Sequence, residues 1–81
     1  MKSNDIIDLF IASNGEYIFT DICRGWDGSH IGRVCHVSAD GERTVLYSLS
    51  YNFKTSAVLD TRRVALDIIK SSKIKYTEAK K

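Results

Sequence analysis

The chain has 81 residues, of which 43% are hydrophobic and 27% are charged, the composition of one small folded domain and not of a disordered chain. No apolar run approaches the roughly 20 residues of a membrane-spanning helix, and no signal-peptide core follows residues 1–5, so we expect a cytoplasmic protein. The net charge of +2 is divided into −4 over residues 1–42 and +6 over residues 43–81, which suggests a charged partner for one half.

Residues 4–15 predict a short first helix. Asn4 can cap its first turn, and Gly15 suits the left-handed position at which many helices end. The apolar residues between them recur at helical spacing and form the predicted buried stripe, Ile6, Ile7, Phe10 and Ile11.

Residues 16–24 fit two structures, and the sequence leaves both open. Their β-branched and aromatic side chains favour a strand. A helix would instead align Phe19 and Ile22 with Trp26 on one face. Residues 26–29 predict a turn, so Trp26, the lone tryptophan, lies in a loop where it can anchor a partner or close one end of the core.

Residues 31–53 predict a β-hairpin. Apolar and polar side chains alternate over residues 44–53, as in a strand with one buried face, and residues 39–41 (Ala-Asp-Gly) supply the turn. The predicted register pairs Cys35 with Val45, Arg33 with Tyr47, Ile31 with Leu49 and Val37 with Arg43. The apolar side chains then share one face, and the other face is mostly small and polar and includes His36, Ser48 and Ser50.

Residues 55–72 predict a final helix that Thr55 or Ser56 can cap. Its inner stripe consists of Val58, Thr61, Ala65, Ile68 and Ile69. Leu59 and Leu66 flank Arg62 on a lateral face. Residues 73–81 are polar, basic and without period, which predicts a frayed tail.

Together these elements predict an α+β fold, a single small domain over residues 1–72 with the order α-β-β-β-α. Three antiparallel strands would form the sheet, and both helices would pack on one of its faces. A winged helix-turn-helix is the alternative, in which residues 29–36 form a recognition helix for the major groove of DNA.

No pattern in the chain indicates an enzyme or a metal protein. The five glycines are isolated, so there is no phosphate-binding loop. Cys35 and His36 are neighbours on a predicted strand and point to opposite faces, so they cannot act as a nucleophile and its base. The spacing of Cys23, His30, Cys35 and His36 fits no common zinc site. We therefore expect no catalytic residue, no metal and no cofactor.

The predicted α-β-β-β-α order resembles the double-stranded-RNA-binding domain over residues 4–71. His30 falls in the loop between the first two strands and Lys54 near the start of the last helix, where that family has a histidine and a basic cluster. This resemblance implies RNA binding. The same order and size also look like those of some phage-encoded anti-CRISPR inhibitors, which implies a protein that occupies a surface of nucleic-acid machinery.

We therefore expect a non-catalytic binding protein, an inhibitor or regulator from a mobile element that occludes a surface of nucleic-acid-processing machinery such as a CRISPR–Cas complex. The residues expected to contact the protein partner are Trp26, His30, His36, Ser48 and Ser50. The alternative is direct nucleic-acid binding through the basic half of the chain. Its candidate residues are Lys54, Arg62, Arg63, Lys70, Lys73 and Lys75. A homodimer through Leu59 and Leu66, or through an exposed edge strand, is a third interpretation.

Overall fold

A computed structural model describes residues 5–79 of the chain, which form one antiparallel sheet and one helix. The elements are β1 Asp5–Ala12, β2 Tyr17–Arg24, β3 His30–Val37, β4 Arg43–Tyr51, α1 Lys54–Ser71 and β5 Tyr76–Glu78. The strands lie in the order β4-β3-β2-β1-β5, so β1 to β4 are successive hairpins and β5 returns from the helix to pair with β1. Among the described residues, no helix is both long and apolar enough to cross a membrane.

The predicted α-β-β-β-α order with a three-stranded sheet is wrong, because the first segment is a strand. Residues 5–12 form β1, and the turn to β2 includes Gly15, whose φ of 94° is a conformation that other residues rarely adopt. The glycine that predicts a helix end therefore serves a hairpin. Phe10 packs beneath α1, whereas Ile11 is 45% exposed, so the predicted helical stripe is divided between two sheet faces. The predicted capping residue, Asn4, lies outside the described residues.

The structure confirms some of the other predicted helices and strands and contradicts others. Residues 17–24 are a strand, which settles the ambiguity of that segment. The winged helix is wrong, because its recognition helix would need residues that form β3. The final helix is confirmed as α1, but its N-cap is Phe53, so the predicted caps Thr55 and Ser56 lie inside the helix. The frayed tail is wrong for Tyr76–Glu78, which forms β5, and Lys80 and Lys81 lie outside the described residues.

The hairpin of β3 and β4 has the predicted register only next to its turn. Cys35 pairs with Val45 as predicted, but Val34 pairs with Tyr47, so Leu46 is the extra residue of a β-bulge. Beyond the bulge every side chain of β4 points to the opposite face from the one predicted. Ser48 consequently lies opposite Arg33, on the same face as Cys35, and no longer shares a face with His36.

The helix packs on the sheet face that carries Phe10, Ile18 and Val34. These side chains and Ala65 of α1 form one buried cluster. Gly32 lets the helix approach β3 closely, because a Cβ atom at that position would collide with the Thr61 hydroxyl. Burial of this cluster and of the half-buried apolar residues around it is the main stabilising contribution that α1 makes.

An ion-pair network joins the helix to the strands β1 and β5. Asp8 is buried, and its Oδ2 accepts a hydrogen bond of 2.9 Å from the Thr20 hydroxyl. The Arg62 guanidinium contacts Asp8 and also donates to both carboxylate oxygens of Glu78, at 3.0 and 3.2 Å. Because Asp8 is on β1 and Glu78 is on β5, Arg62 fixes the last strand against the first.

Replacing Arg62 by Met should lower the free energy of unfolding by about 2–4 kcal/mol, because it leaves the buried Asp8 carboxylate without its cationic partner. The matched control is Arg63→Met, which removes a side chain that is 72% exposed and pairs with Asp60 on the same helix. That change should stay within about 0.5 kcal/mol. Urea denaturation measures the free energy of unfolding of both variants, and equal losses of stability would contradict the role given to Arg62.

Candidate binding surface

The sheet face opposite α1 is apolar, and no other described element lies over it. Phe19, Cys35 and Val37 form a second buried cluster there, joined by Leu9 and Tyr17, and every member of this cluster is a strand residue. We call this surface the open face. Strand alternation and the observed pairing assign to it Ile6, Leu9, Ile11, Tyr17, Phe19, Asp21, Cys23, Ile31, Arg33, Cys35, Val37, Arg43, Val45, Ser48, Ser50 and Thr77.

The rim of the open face exposes large aliphatic side chains. Ile6, Ile11 and Val45 are 46%, 45% and 49% exposed. At the centre, Phe19 and Cys35 have almost no exposed surface, and Leu9 and Tyr17 pack against this cluster. Several large apolar side chains exposed on one sheet face are a feature of surfaces that contact another molecule.

The only opposite charges paired on the open face, within residues 5–79, are Asp21 and Arg33. Arg33 donates from Nε to Asp21 Oδ1 at 2.9 Å and from a terminal nitrogen to Oδ2 at 2.6 Å. The hydrogen bonds to Asp21 hold the pKa of the Arg33 guanidinium above its usual range. The pair is bidentate and contributes no net charge, so the centre of the open face suits an uncharged, apolar surface better than a phosphate backbone.

Trp26 lies at the tip of the β2–β3 hairpin and is fully exposed. Its turn is held by a backbone hydrogen bond of 2.8 Å from Gly25 to Ser29, and the Asp27 carboxylate accepts another, of 3.0 Å, from the Ser29 N–H. Hydrogen bonds from the Ser29 side chain, and then from its N–H, lower the pKa of Asp27. The indole is therefore presented on an ordered turn, as expected of an anchor for a partner and not of a core residue.

The residues predicted to contact a protein partner fall into two groups. His30 pairs with Arg24 and with Tyr51, so it lies at the same end of the sheet as the Trp26 turn. Ser48 and Ser50 lie on the open face. His36 is separate from these four, because it points to the helix side of the sheet, opposite the open face on which it was predicted.

His36 has a structural contact of its own. Its Nε2 lies 2.8 Å from Glu16 Oε1, which joins β3 to the turn between β1 and β2. Asn14 and Tyr76 also donate hydrogen bonds to the Glu16 carboxylate. The bond to His36 is the largest of the effects that lower the pKa of Glu16. His36 thus positions a turn in this structure.

The basic residues predicted to bind nucleic acid do not form one patch. Arg62 and Arg63 are both paired with carboxylates. Lys54 begins the helix and Lys70 is in its last turn, which places them roughly 24 Å apart along the axis at 1.5 Å per residue. Lys73 and Lys75 follow the Lys70 end.

The two cysteines, Cys23 and Cys35, both lie on the open face. Cys35 is fully buried, and its burial raises the pKa of the thiol. A raised pKa disfavours the thiolate, which is the reactive form. In the part of the chain that the structure describes, no group of three or more His, Cys, Asp or Glu side chains could hold a metal ion.

The sequence pattern did not identify the open-face residues of β1, because Ile6 and Ile11 were assigned to the apolar stripe of a helix. Asn14-Gly15, between two apolar segments, is the signal that could have identified them, since this dipeptide is typical of the turn between two antiparallel strands.

Comparisons of the chain with protein-family models, with curated proteins and with solved structures find no match.

In the native protein at neutral pH, a thiol reagent should modify Cys23, which is partly exposed, and leave Cys35 unmodified. The count of modified thiols by mass spectrometry checks this. Cys23→Ser is the control, and it should show no rapid modification until denaturant is added. Rapid reaction of Cys35 in the native Cys23→Ser variant would contradict the account of an inert, buried thiol.

Proposed function

We propose that this chain is a non-catalytic binding protein that covers a surface of a protein partner with its open face. The observation that carries the proposal is the exposure of Ile6, Ile11 and Val45 on a sheet face that no other described element covers. Sheets of this kind normally bury both apolar faces, so a partner with a matching apolar surface would complete the second layer.

Trp26 supports the same proposal as a second anchor. A fully exposed indole contributes little to the stability of its own chain, while tryptophan is among the residues that most often dominate binding energy at interfaces. His30 and Ser50 lie at the same end of the sheet as Trp26, and Ser50 belongs to the open face. One partner could therefore contact the hairpin tip and the sheet together.

We propose a cytoplasmic inhibitor or regulator from a mobile element that occludes nucleic-acid-processing machinery such as a CRISPR–Cas complex. The small size of the chain and its uneven charge support this proposal. The order α-β-β-β-α no longer supports it, because the order in the structure is ββββαβ.

Direct nucleic-acid binding is the second proposal, and the exposed residues Lys70, Lys73 and Lys75 favour it. The ion pairs of Arg62 and Arg63 weigh against it, because those guanidinium groups already have carboxylate partners. A mobility-shift titration with salt separates the two proposals. Phosphate contacts require affinity that falls steeply as salt rises, whereas an apolar protein interface does not.

The experiment compares Ile11→Gln with Leu59→Gln in affinity capture from cells that express the chain naturally. Both positions expose an aliphatic side chain, Ile11 on the open face and Leu59 on the helix, where it is 65% exposed. Ile11→Gln and Trp26→Ala should each weaken capture of the partner at least about tenfold, because each removes an apolar anchor of about 1.4 kcal/mol or more. Leu59→Gln should leave capture unchanged.

Circular dichroism and urea denaturation of each variant show whether the fold is retained. Capture that survives Ile11→Gln and Trp26→Ala but is lost in Leu59→Gln would place the interface on α1 and contradict the proposal. Recovery of nucleic acid alone, lost on raising the salt concentration, would favour direct nucleic-acid binding instead.

A further inference from the structure

β4 is an edge strand, and its part beyond the bulge at Leu46, residues 47–51, has neither a charged residue nor a proline to protect it. It has nine residues, whereas β5, at the opposite edge of the sheet, has three. Residues 44–53 contain no charged residue and no proline, while β5 follows Lys75 and ends at Glu78. An uncharged edge segment rich in β-forming residues presents N–H and C=O groups to another strand.

The part of β4 after its bulge reads the same in both directions, Tyr47-Ser48-Leu49-Ser50-Tyr51. If two copies pair in antiparallel orientation about Leu49, then Leu49 lies opposite its own equivalent. The same pairing sets Tyr47 opposite Tyr51 and Ser48 opposite Ser50 of the other copy. Each pair joins side chains of one face, and aromatic pairs and hydroxyl pairs across strands are favourable.

We propose that two copies of this chain pair through β4 about a two-fold axis at Leu49 and form one continuous sheet. A two-fold interface requires a surface that is complementary to itself, and a strand that reads the same in both directions meets this requirement. Because residues 44–53 are uncharged, two copies can align without placing like charges opposite each other.

The side chains of β4 are arranged for this contact. Leu49 is 49% exposed on the helix side of the sheet, where α1 does not cover it. The Tyr47 and Tyr51 hydroxyls lie 2.6 Å apart, and Tyr51 donates to Asp60 Oδ2 at 3.1 Å, which fixes both rings before association. The bulge at Leu46 confines regular pairing to residues 47–51. Because this contact is short, we expect a dissociation constant in the micromolar range.

The proposal goes beyond the proposed function, because it concerns the sheet edge and leaves the open face free. When the two copies pair edge to edge, their open faces lie on the same side of the joined sheet. The open faces of the two copies would then adjoin, and a partner could contact both.

Sedimentation velocity over a series of concentrations, from micromolar to millimolar, tests the proposal. The native chain should show a reversible monomer–dimer equilibrium. Leu49→Lys places two like charges opposite each other at the axis and should raise the dissociation constant at least about tenfold. The control Leu59→Lys adds the same charge at an exposed helix position and should leave the equilibrium unchanged.

A pair of double variants tests the register itself. Ser48→Glu with Ser50→Lys sets opposite charges across the interface and should retain or strengthen the dimer. Ser48→Glu with Ser50→Glu sets like charges there and should weaken it at least about tenfold. Circular dichroism confirms that each variant is folded. A native chain that is monomeric at millimolar concentration would overturn the proposal, as would a dimer that Leu59→Lys weakens and Leu49→Lys does not.

Discussion

One helix of 18 residues packs against a five-stranded sheet whose two faces are both apolar. Because the helix covers only one face, the other face stays open to a partner. The helix buries Phe10, Ile18 and Val34 on one face. On the other face, neighbouring side chains close only the centre, around Phe19 and Cys35. The rim stays exposed because no second layer exists among the described residues. The proposed binding function follows from this uncovered face and not from any reactive group.

The ion pairs of Arg62 decide which residues are available to a partner. Arg62 holds Asp8 of β1 and Glu78 of β5 at once, so it contributes to the fold more than to any surface charge. Arg33 is similarly engaged with Asp21 on the open face. Within residues 43–81, the ion pairs of Arg62 and Arg63 neutralise part of the positive charge that the sequence concentrates there. The open face therefore offers a partner exposed aliphatic side chains, and the hairpin tip offers the indole of Trp26.

Local patterns predicted the elements whose structure depends on local sequence. α1 was predictable from its apolar stripe, and the turn between β3 and β4 from Ala-Asp-Gly at residues 39–41. The first strand was not, because a strand that is apolar on both faces can show the same spacing as an amphipathic helix. β5 has three residues and depends on pairing with β1 and on Arg62, which are contacts distant in sequence. The bulge at Leu46 shifts the pairing register of β3 and β4 by one residue, and the strand propensities of individual residues do not predict such a shift.

Of the residues predicted to contact a partner, Trp26 is exposed and the two serines of β4 lie on the open face, whereas His36 was placed on the wrong face because that assignment depended on the register. The most direct measurement of the central claim is the exposure of methyl groups to a soluble paramagnetic agent, followed by NMR of the free protein. The open face predicts strong broadening of the Ile11 and Val45 methyl signals and little effect on Ile18 and Val34. If the Ile11 and Val45 signals were as protected as those of Val34, the face would be covered within the protein itself, and the account would be contradicted.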